Sequence, residues 1–185
     1  MIVGIVIAVV AVALLLAVVG IYNGLVCKRN RVGNAWAQVD VQLRRRYDLI
    51  PNLVETVKGY AAHEQKVFIQ VTEARSRAMQ ATSPKEKEAA EGMLTGTLKS
   101  LFAIAENYPQ LRANENFMGL QQSLTQVEEA VQGARRYYNA VVRDYNTKVA
   151  ELPDRLIAQV GGFAPKEFFQ LDSAEEAKAP KVAFS

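Results

Sequence analysis

The feature that most constrains this chain is its first 22 residues, MIVGIVIAVVAVALLLAVVGIY, which contain no charged side chain. A helix rises about 1.5 Å per residue, so about 20 apolar residues cross the roughly 30 Å hydrocarbon core of a bilayer. Ile2 to Ile21 meets this length and predicts a transmembrane helix. A cleaved signal peptide is the alternative, but it has a basic n-region and a small-residue cleavage site. This run has neither, so we interpret it as an anchor.

The basic residues beside this segment predict its orientation. Lys28, Arg29 and Arg31 follow the span, whereas no lysine or arginine precedes it. Under the positive-inside rule, the N-terminus lies outside and the rest of the chain lies in the cytoplasm. Tyr22 stands where an aromatic residue anchors a helix at the interface, and the basic side chains suit anionic headgroups of the lipid bilayer.

Cysteine and charge usage narrow the class of protein further. Cys27 is the only cysteine, which excludes an intrachain disulfide. Its place near the bilayer makes it a candidate for lipid attachment, but Val26 stands where a lipoprotein signal needs a small residue, so we prefer an unmodified thiol. The net charge of +3 is small, and much of the excess lies beside the span. The composition therefore gives little support to a nucleic-acid partner, and we expect none.

Apolar residues at steps of three and four predict a long helix after the anchor. They are Val32, Trp36, Val39, Leu43, Tyr47, Ile50, Val54, Val57, Ala61, Phe68, Val71, Ala74 and Ala78. We expect one helix over Lys28 to Ala81. At 1.5 Å per residue it approaches about 80 Å, longer than either of its partner helices. Part of its apolar stripe should then remain for another subunit, which predicts a homo-oligomer.

Two further helices have clear boundaries in the sequence. Ser83 as N-cap, Pro84 at the first helical position and Glu86 three residues after the cap predict the start of the second helix. Pro109 ends this helix at Tyr108. Its predicted apolar face is Met93, Leu94, Leu98, Leu101, Phe102 and Ala105. The third helix carries the most regular seam, formed by Phe117, Leu120, Leu124, Val127, Val131, Ala134, Tyr138, Val141, Tyr145, Val149 and Leu152.

The remaining segments complete an all-α prediction. After Pro153 comes a shorter amphipathic piece, Asp154 to Val160, and then PKEFFQL, which we expect to pack across the end of the bundle. The predicted fold is an N-terminal transmembrane helix followed by an antiparallel bundle of three long helices plus a shorter fourth helical segment. The predicted domains are the anchor over 1–22, the bundle over 23–171 and a mobile C-terminal tail over 172–185.

The segment RRRYDLIPNLV raises the question of what three arginines and a proline do in a helix. Pro51 has no N–H, so it frees the carbonyl of Tyr47 and predicts a kink. The three arginines fan out around the helix, so at least one must lie near the seam and needs a carboxylate there. An acidic binding partner is the alternative. The residues in question are Arg44, Arg45 and Arg46, with Glu106, Glu128 and Asp144 as candidate partners from other helices and Asp40 one turn before Arg44.

No catalytic or metal-binding motif is complete. His63 and Glu64 begin the zinc signature H-E-x-x-H, but Val67 stands at the second histidine position and His63 is the only histidine. No serine lies on a G-x-S-x-G elbow, and the Gly161–Gly162 pair lacks the lysine of a phosphate loop. We therefore expect a non-enzyme without a cofactor or a metal.

Several segments resemble the bacterial LemA family. They include RRRYDLIPNLVETVKGYAAHE, ENYPQLRANENF, RRYYNAVVRDYN and GGFAPKEFF, and the similarity covers Tyr22 to Phe169. The resemblance implies a bundle anchored in the bacterial inner membrane and supplies no enzyme mechanism. It also implies relatives in magnetosome formation and an association with membrane metalloproteases of the HtpX type. We therefore expect a scaffold or adaptor that self-associates through its long helices, with a monomeric regulatory module for such a protease or a transporter as the alternative.

Overall fold

The computed structural model describes residues 1–170, which form six helices and no strand. They are α1 (Ile2–Lys58), α2 (Gln65–Gln80), α3 (Pro84–Glu106), α4 (Pro109–Arg112), α5 (Glu115–Ala150) and α6 (Asp154–Val160). The predicted all-α fold, an apolar N-terminal helix followed by a helical bundle, is confirmed. The predicted mobile tail over 172–185 lies outside the described residues.

The first part of α1 is apolar and unburied. Every residue from 1 to 20 is exposed, and the most apolar window has a mean hydropathy of 3.4. A core helix of a water-soluble protein would bury such side chains against other elements, whereas a membrane helix exposes them to lipid. The segment is therefore long enough and apolar enough to cross a bilayer.

The helices divide into two compact units. The first consists of residues 1–40 and 134–168, so it contains the apolar part of α1, the end of α5, α6 and the segment after it. Its α1 and α5 pack along each other, and the ring centroids of Trp36 and Tyr138 lie 5.2 Å apart. The buried side chains of this helix pair are Leu25, Val32, Ala35 and Val39 from α1 and Tyr138, Val142, Tyr145 and Val149 from α5.

The second unit contains residues 41–133 and resumes at Phe169. Here the end of α1, α2, α3 and the start of α5 alternate in direction. The hydroxyl of Tyr47 reaches the carbonyl of Ala78 in α2, and the amide of Asn114 donates to the hydroxyl of Tyr60. Short turns between consecutive helices place each one antiparallel to the next, as in an up-down four-helix bundle.

The predicted continuous helix from Lys28 to Ala81 is wrong, because α1 ends at Lys58 and α2 begins at Gln65. Gly59 follows the last residue of α1, and the amides of Tyr60 and Ala61 both donate to the carbonyl of Val57, which closes the helix end. The apolar phase hid the break, because Ala61 and Phe68 are one heptad apart and both are buried. The sequence signal for this break is the polar pair Glu64 and Gln65, because a continuous apolar stripe would need an apolar side chain at one of these positions.

The predicted start of α3 is confirmed. The amide of Glu86 donates to Ser83 Oγ at 3.2 Å, and the amide of Ser83 donates to a Glu86 carboxylate oxygen at 3.2 Å. This capping box satisfies backbone donors that have no partner within the helix. Hydrogen bonds from Ser83 and Thr82 to the carboxylate lower the pKa of Glu86. Met93, predicted on the apolar face of this helix, is instead 50% exposed.

The segment after α6 lies along α5 and does not cross the end of the bundle as predicted. Asn146 exchanges two hydrogen bonds with the backbone of Lys166, at 2.9 and 2.8 Å. The hydroxyl of Tyr145 donates to the carbonyl of Ala164, and that of Tyr138 donates to the carbonyl of Glu167. Side chains of α5 thus supply partners for a backbone segment that has no regular structure of its own.

Candidate functional site

The most unusual side-chain arrangement is a charged cluster in the core of the second unit. We call it the Arg46 cluster, and it consists of Arg46, Tyr47, Glu91, Thr95 and Glu128. Arg46 is 2% exposed and Glu91 is 0% exposed. Charged side chains are rarely buried to this degree unless they are paired and hydrogen-bonded.

Every oxygen of the Glu91 carboxylate has a partner. Arg46 Nη1 donates to Glu91 Oε2 at 2.5 Å, and the hydroxyl of Tyr47 donates to Glu91 Oε1 in a short hydrogen bond. Arg46 Nη2 donates to Thr95 Oγ1 at 3.0 Å and lies 3.2 Å from Glu128 Oε2. Because the guanidinium is planar and carries five N–H donors, one arginine can bridge α3 and α5 at the same time.

The proline of α1 contributes a further contact to this region. Pro51 has no N–H, so the carbonyl of Tyr47 loses its usual donor four residues later. Arg75 of α2 replaces that donor, with its Nε 2.7 Å from the Tyr47 carbonyl oxygen. Tyr47 is therefore held at its backbone by α2 and at its hydroxyl by α3. The helix α1 itself continues without interruption through Pro51.

Taken together, these contacts join the four helices of the second unit through polar groups. Arg46 and Tyr47 belong to α1, Arg75 to α2, Glu91 to α3 and Glu128 to α5. Hydrogen-bond geometry requires one particular register between helices, whereas apolar contacts tolerate sliding. Arg46, Tyr47 and Glu91 are buried, whereas Thr95 is half-buried and the side chain of Glu128 is 34% exposed. Its chemistry suits the selection of one packing arrangement.

The other acidic and basic candidates are more exposed than Arg46. Arg44 and Arg45 are exposed on α1, and Asp40 is half-buried in the first unit. Glu106 and Asp144 are exposed on α3 and α5. Of the three carboxylates named from the sequence, the structure brings only Glu128 to Arg46.

Glu91 and Thr95 were missed by the sequence reasoning, although a signal was present. Glu91 lies three residues before Leu94 and seven before Leu98, both of which are buried. It therefore occupies the apolar stripe of α3, where a carboxylate demands a cationic partner. Lys87, one turn earlier on the same stripe, is also buried.

The residues predicted at the membrane interface lie at the end of the apolar part of α1. The rings of Tyr22 and Phe163 meet edge to face at 5.4 Å, and the guanidinium of Arg29 lies 5.1 Å from the centre of the same phenylalanine ring. Cys27 and Arg31 are exposed, and Lys28 is half-buried. Phe163 is 5% exposed and is the contact that the sequence reasoning did not assign.

An open groove of about 360 Å³ lies between α2 and α3 in the second unit. Glu73 and Arg77 line its α2 side, and Met93, Gly96 and Thr97 line its α3 side. A Cβ atom built on Gly96 would meet no atom within 4 Å. The groove therefore has room for side chains from another molecule.

Across residues 1–170, no three histidine, cysteine, aspartate or glutamate side chains lie close enough together to hold a metal ion. His63 is exposed in the turn between α1 and α2. The zinc-like beginning of its sequence motif therefore has no second ligand there.

Comparison with known proteins places the chain in a family. The LemA family profile matches residues 35–184. The chain is 24% identical over 175 residues to the magnetosome protein MamQ 2 of Paramagnetospirillum magneticum and 23% identical over 174 residues to the magnetosome protein MamQ of Magnetospirillum gryphiswaldense. Each alignment covers 80% of this chain and 64% of the relative.

A relative with the family name itself is protein LemA of Metamycoplasma hominis, which is 24% identical over 145 residues. That alignment covers 76% of this chain and 65% of the relative. The chain thus spans less than two thirds of the length of these relatives. Since the family profile covers most of the sequence, the chain belongs to the LemA family.

Proposed function

We propose that this protein is a single-span scaffold or adaptor of the bacterial inner membrane, which presents a helical bundle on the cytoplasmic side. One observation carries the proposal. The exposed, uncharged first part of α1 runs without a break into a folded helical unit, so one continuous helix carries both a candidate membrane segment and part of a folded unit. Such an arrangement suits holding a protein surface at a bilayer.

The arrangement of the charged residues supports a non-enzymatic role. A catalytic site built from Glu106, Glu128 and Asp144 would require these carboxylates to converge in a polar cleft. Within the described residues, Glu128 pairs with the buried Arg46, whereas Glu106 and Asp144 are exposed on separate helices. The MamQ relatives are named magnetosome proteins, and this name supports a structural role.

Self-association is part of the proposal, but its basis changes. The sequence predicts a free apolar stripe on a single helix that reaches Ala81. In the structure the chain turns after Lys58, so no single helix carries that stripe. The stripe residues Leu43, Ile50 and Val57 are buried in the second unit. The groove between α2 and α3 is now the surface that supports self-association, because it is open and Gly96 allows close approach of another helix.

A monomeric regulatory module for a membrane metalloprotease or a transporter is the second candidate. The same groove favours it, because Glu73 and Arg77 offer both signs of charge beside the apolar Met93. This candidate differs from the first in one measurable property. A scaffold that self-associates has a mass above one chain, whereas the regulatory module is a monomer until its partner is present.

The two candidates are separated by sedimentation velocity of the full chain in a density-matched detergent, with Gly96→Leu as the test variant. Leucine fills the groove and meets no atom of the same chain at its Cβ. Gly119→Leu is the matched control, because Gly119 is an exposed helical glycine with the same free space. We expect oligomers in wild type and in Gly119→Leu and their loss in Gly96→Leu. A monomeric wild type would instead favour the regulatory module.

A further inference from the structure

The short helix α6 carries its apolar side chains on the outside. Leu152, just before the helix, is 72% exposed, Leu156 is 59% exposed and Val160 is 92% exposed. Leu156 and Val160 are four residues apart in the helix and so share one face, while Leu152 lies in the turn before the helix. In an ordinary surface helix such a face would point into the core.

The opposite face of α6 packs on the protein. Asp154 is 5% exposed and Ala158 is 1% exposed, and Asp154 lies 3.1 Å from Lys148 of α5 in an ion pair. At 100° per residue, Leu156 lies about 200° from both of these residues around the helix axis. The outward direction of the apolar face is therefore fixed by contacts of the inner face.

The position of α6 along α1 can be worked out within the first unit. Trp36 contacts Tyr138, and Arg29 lies close enough to Tyr145 to influence its pKa, so α5 runs antiparallel to α1. From Tyr138 to the end of α5 at Ala150 is about 18 Å. The same distance back from Trp36 reaches Gly24. The start of α6 thus lies level with the end of the predicted anchor over 1–22.

A direct contact agrees with this position. Phe163, three residues after the end of α6, packs against Tyr22, the last residue of the predicted anchor over 1–22. The chain therefore enters and leaves α6 at the height where the apolar segment of α1 ends.

We propose that α6 is an interfacial helix that inserts Leu152, Leu156 and Val160 into the headgroup boundary of the bilayer that α1 spans. The inference rests on the proposed membrane anchor and adds a second lipid contact to it. Its partner is a lipid surface because the apolar face lies at the level where the exposed apolar part of α1 ends. Arg155, exposed beside Leu156, is long enough to place its guanidinium at the phosphates while its stem follows the apolar face.

The test measures the depth of spin labels in the full chain reconstituted into phosphatidylcholine–phosphatidylglycerol vesicles. In a Cys27→Ser background, single cysteines replace Leu152, Leu156 or Val160 and carry a nitroxide. Oxygen, which concentrates in lipid, and a water-soluble nickel chelate report the surroundings of each label. Val10→Cys in the exposed apolar part of α1 is the lipid reference, and Gln132→Cys on an exposed polar position of α5 is the water reference.

We expect the three α6 labels to fall between the two references, with higher oxygen accessibility and lower nickel-chelate accessibility than the Gln132 label. Labels that match the Gln132 reference would overturn the inference. Low accessibility to both reagents would overturn it as well, because it would mean that protein, such as a second copy of the chain, covers the face. A water-exposed Val10 label would refute the anchor itself, so failure of the anchor and failure of α6 insertion are distinguishable.

Discussion

The Arg46 cluster predicts a particular pattern of stability when its members are removed one at a time. Arg46→Met leaves the Glu91 carboxylate, which is 0% exposed, with only the Tyr47 hydroxyl among the partners described above. Breaking a buried ion pair by removing one partner costs about 3–5 kcal/mol, because the remaining charge is uncompensated. Glu91→Met leaves Arg46 with Thr95 and Glu128, so its cost should lie near the lower end, about 3 kcal/mol.

The double variant tests whether the two charges are coupled, and a matched control tests whether burial sets the cost. Arg46→Met with Glu91→Met removes both charges and restores an apolar interior, so its cost should fall below the sum of the single costs by about 1–3 kcal/mol. Glu128→Gln changes the other carboxylate of the same arginine, but that side chain is 34% exposed. Solvent screening should limit its cost to about 0–1 kcal/mol.

The assay is urea unfolding of the full chain in a non-ionic detergent, followed by far-UV circular dichroism and analysed by linear extrapolation. Typical stabilities are about 5–15 kcal/mol, so a loss of 3 kcal/mol is readily resolved. The reasoning that Arg46 and Glu91 are buried and coupled would be refuted if Arg46→Met and Glu91→Met each cost less than about 1 kcal/mol. It would also be refuted if the cost of the double variant equalled the sum of these two single costs.

Four further perturbations have expected outcomes. Ser83→Ala removes the cap of α3 and should lower the unfolding free energy by about 1 kcal/mol in urea titrations. The pKa of Glu86 in the folded state is lowered from 4.5, so the contribution of Glu86 to stability is complete above pH 4.5 and is lost as the pH falls through the folded-state pKa. Glu86→Gln should abolish this part of the acid sensitivity of unfolding. An unchanged acid profile in the variant would contradict the capping contact. Asn146→Ala should speed amide hydrogen exchange at Lys166 with little change at α5, and equal exchange in both proteins would show that the two hydrogen bonds do not hold the segment. Protease added to intact spheroplasts should leave the C-terminal residues 172–185 uncut, whereas cleavage from outside would reverse the proposed orientation.

The helix pattern was largely predictable because it depends on local rules. The bounds of α6 and the capping box of α3 follow from a proline or serine with its neighbours, and the structure reproduces both. The break between α1 and α2 was not predicted, because the turn preserves the heptad phase from Ala61 to Phe68. Periodicity reports which residues face the core, but it does not report whether the chain reverses between them.

The candidate site was only half predictable for a related reason. The burial of one arginine was predictable because Arg44, Arg45 and Arg46 point in different directions around the helix. The free carbonyl of Tyr47 was predictable because Pro51 has no N–H to donate to it. Their partners, Glu91 and Arg75, depend on which helices become neighbours after the chain turns back at Gly59. Once α2 was expected to continue α1, no sequence argument could bring Arg75 beside Tyr47.

The central claim is that the anchored bundle acts through association of chains in the membrane. Counting photobleaching steps of the singly labelled full chain in dilute proteoliposomes tests it directly, because the count reports the number of chains per assembly. The account predicts two or more steps for wild type and single steps for Gly96→Leu at the same protein-to-lipid ratio. Single steps for wild type over the whole range of ratios would contradict it.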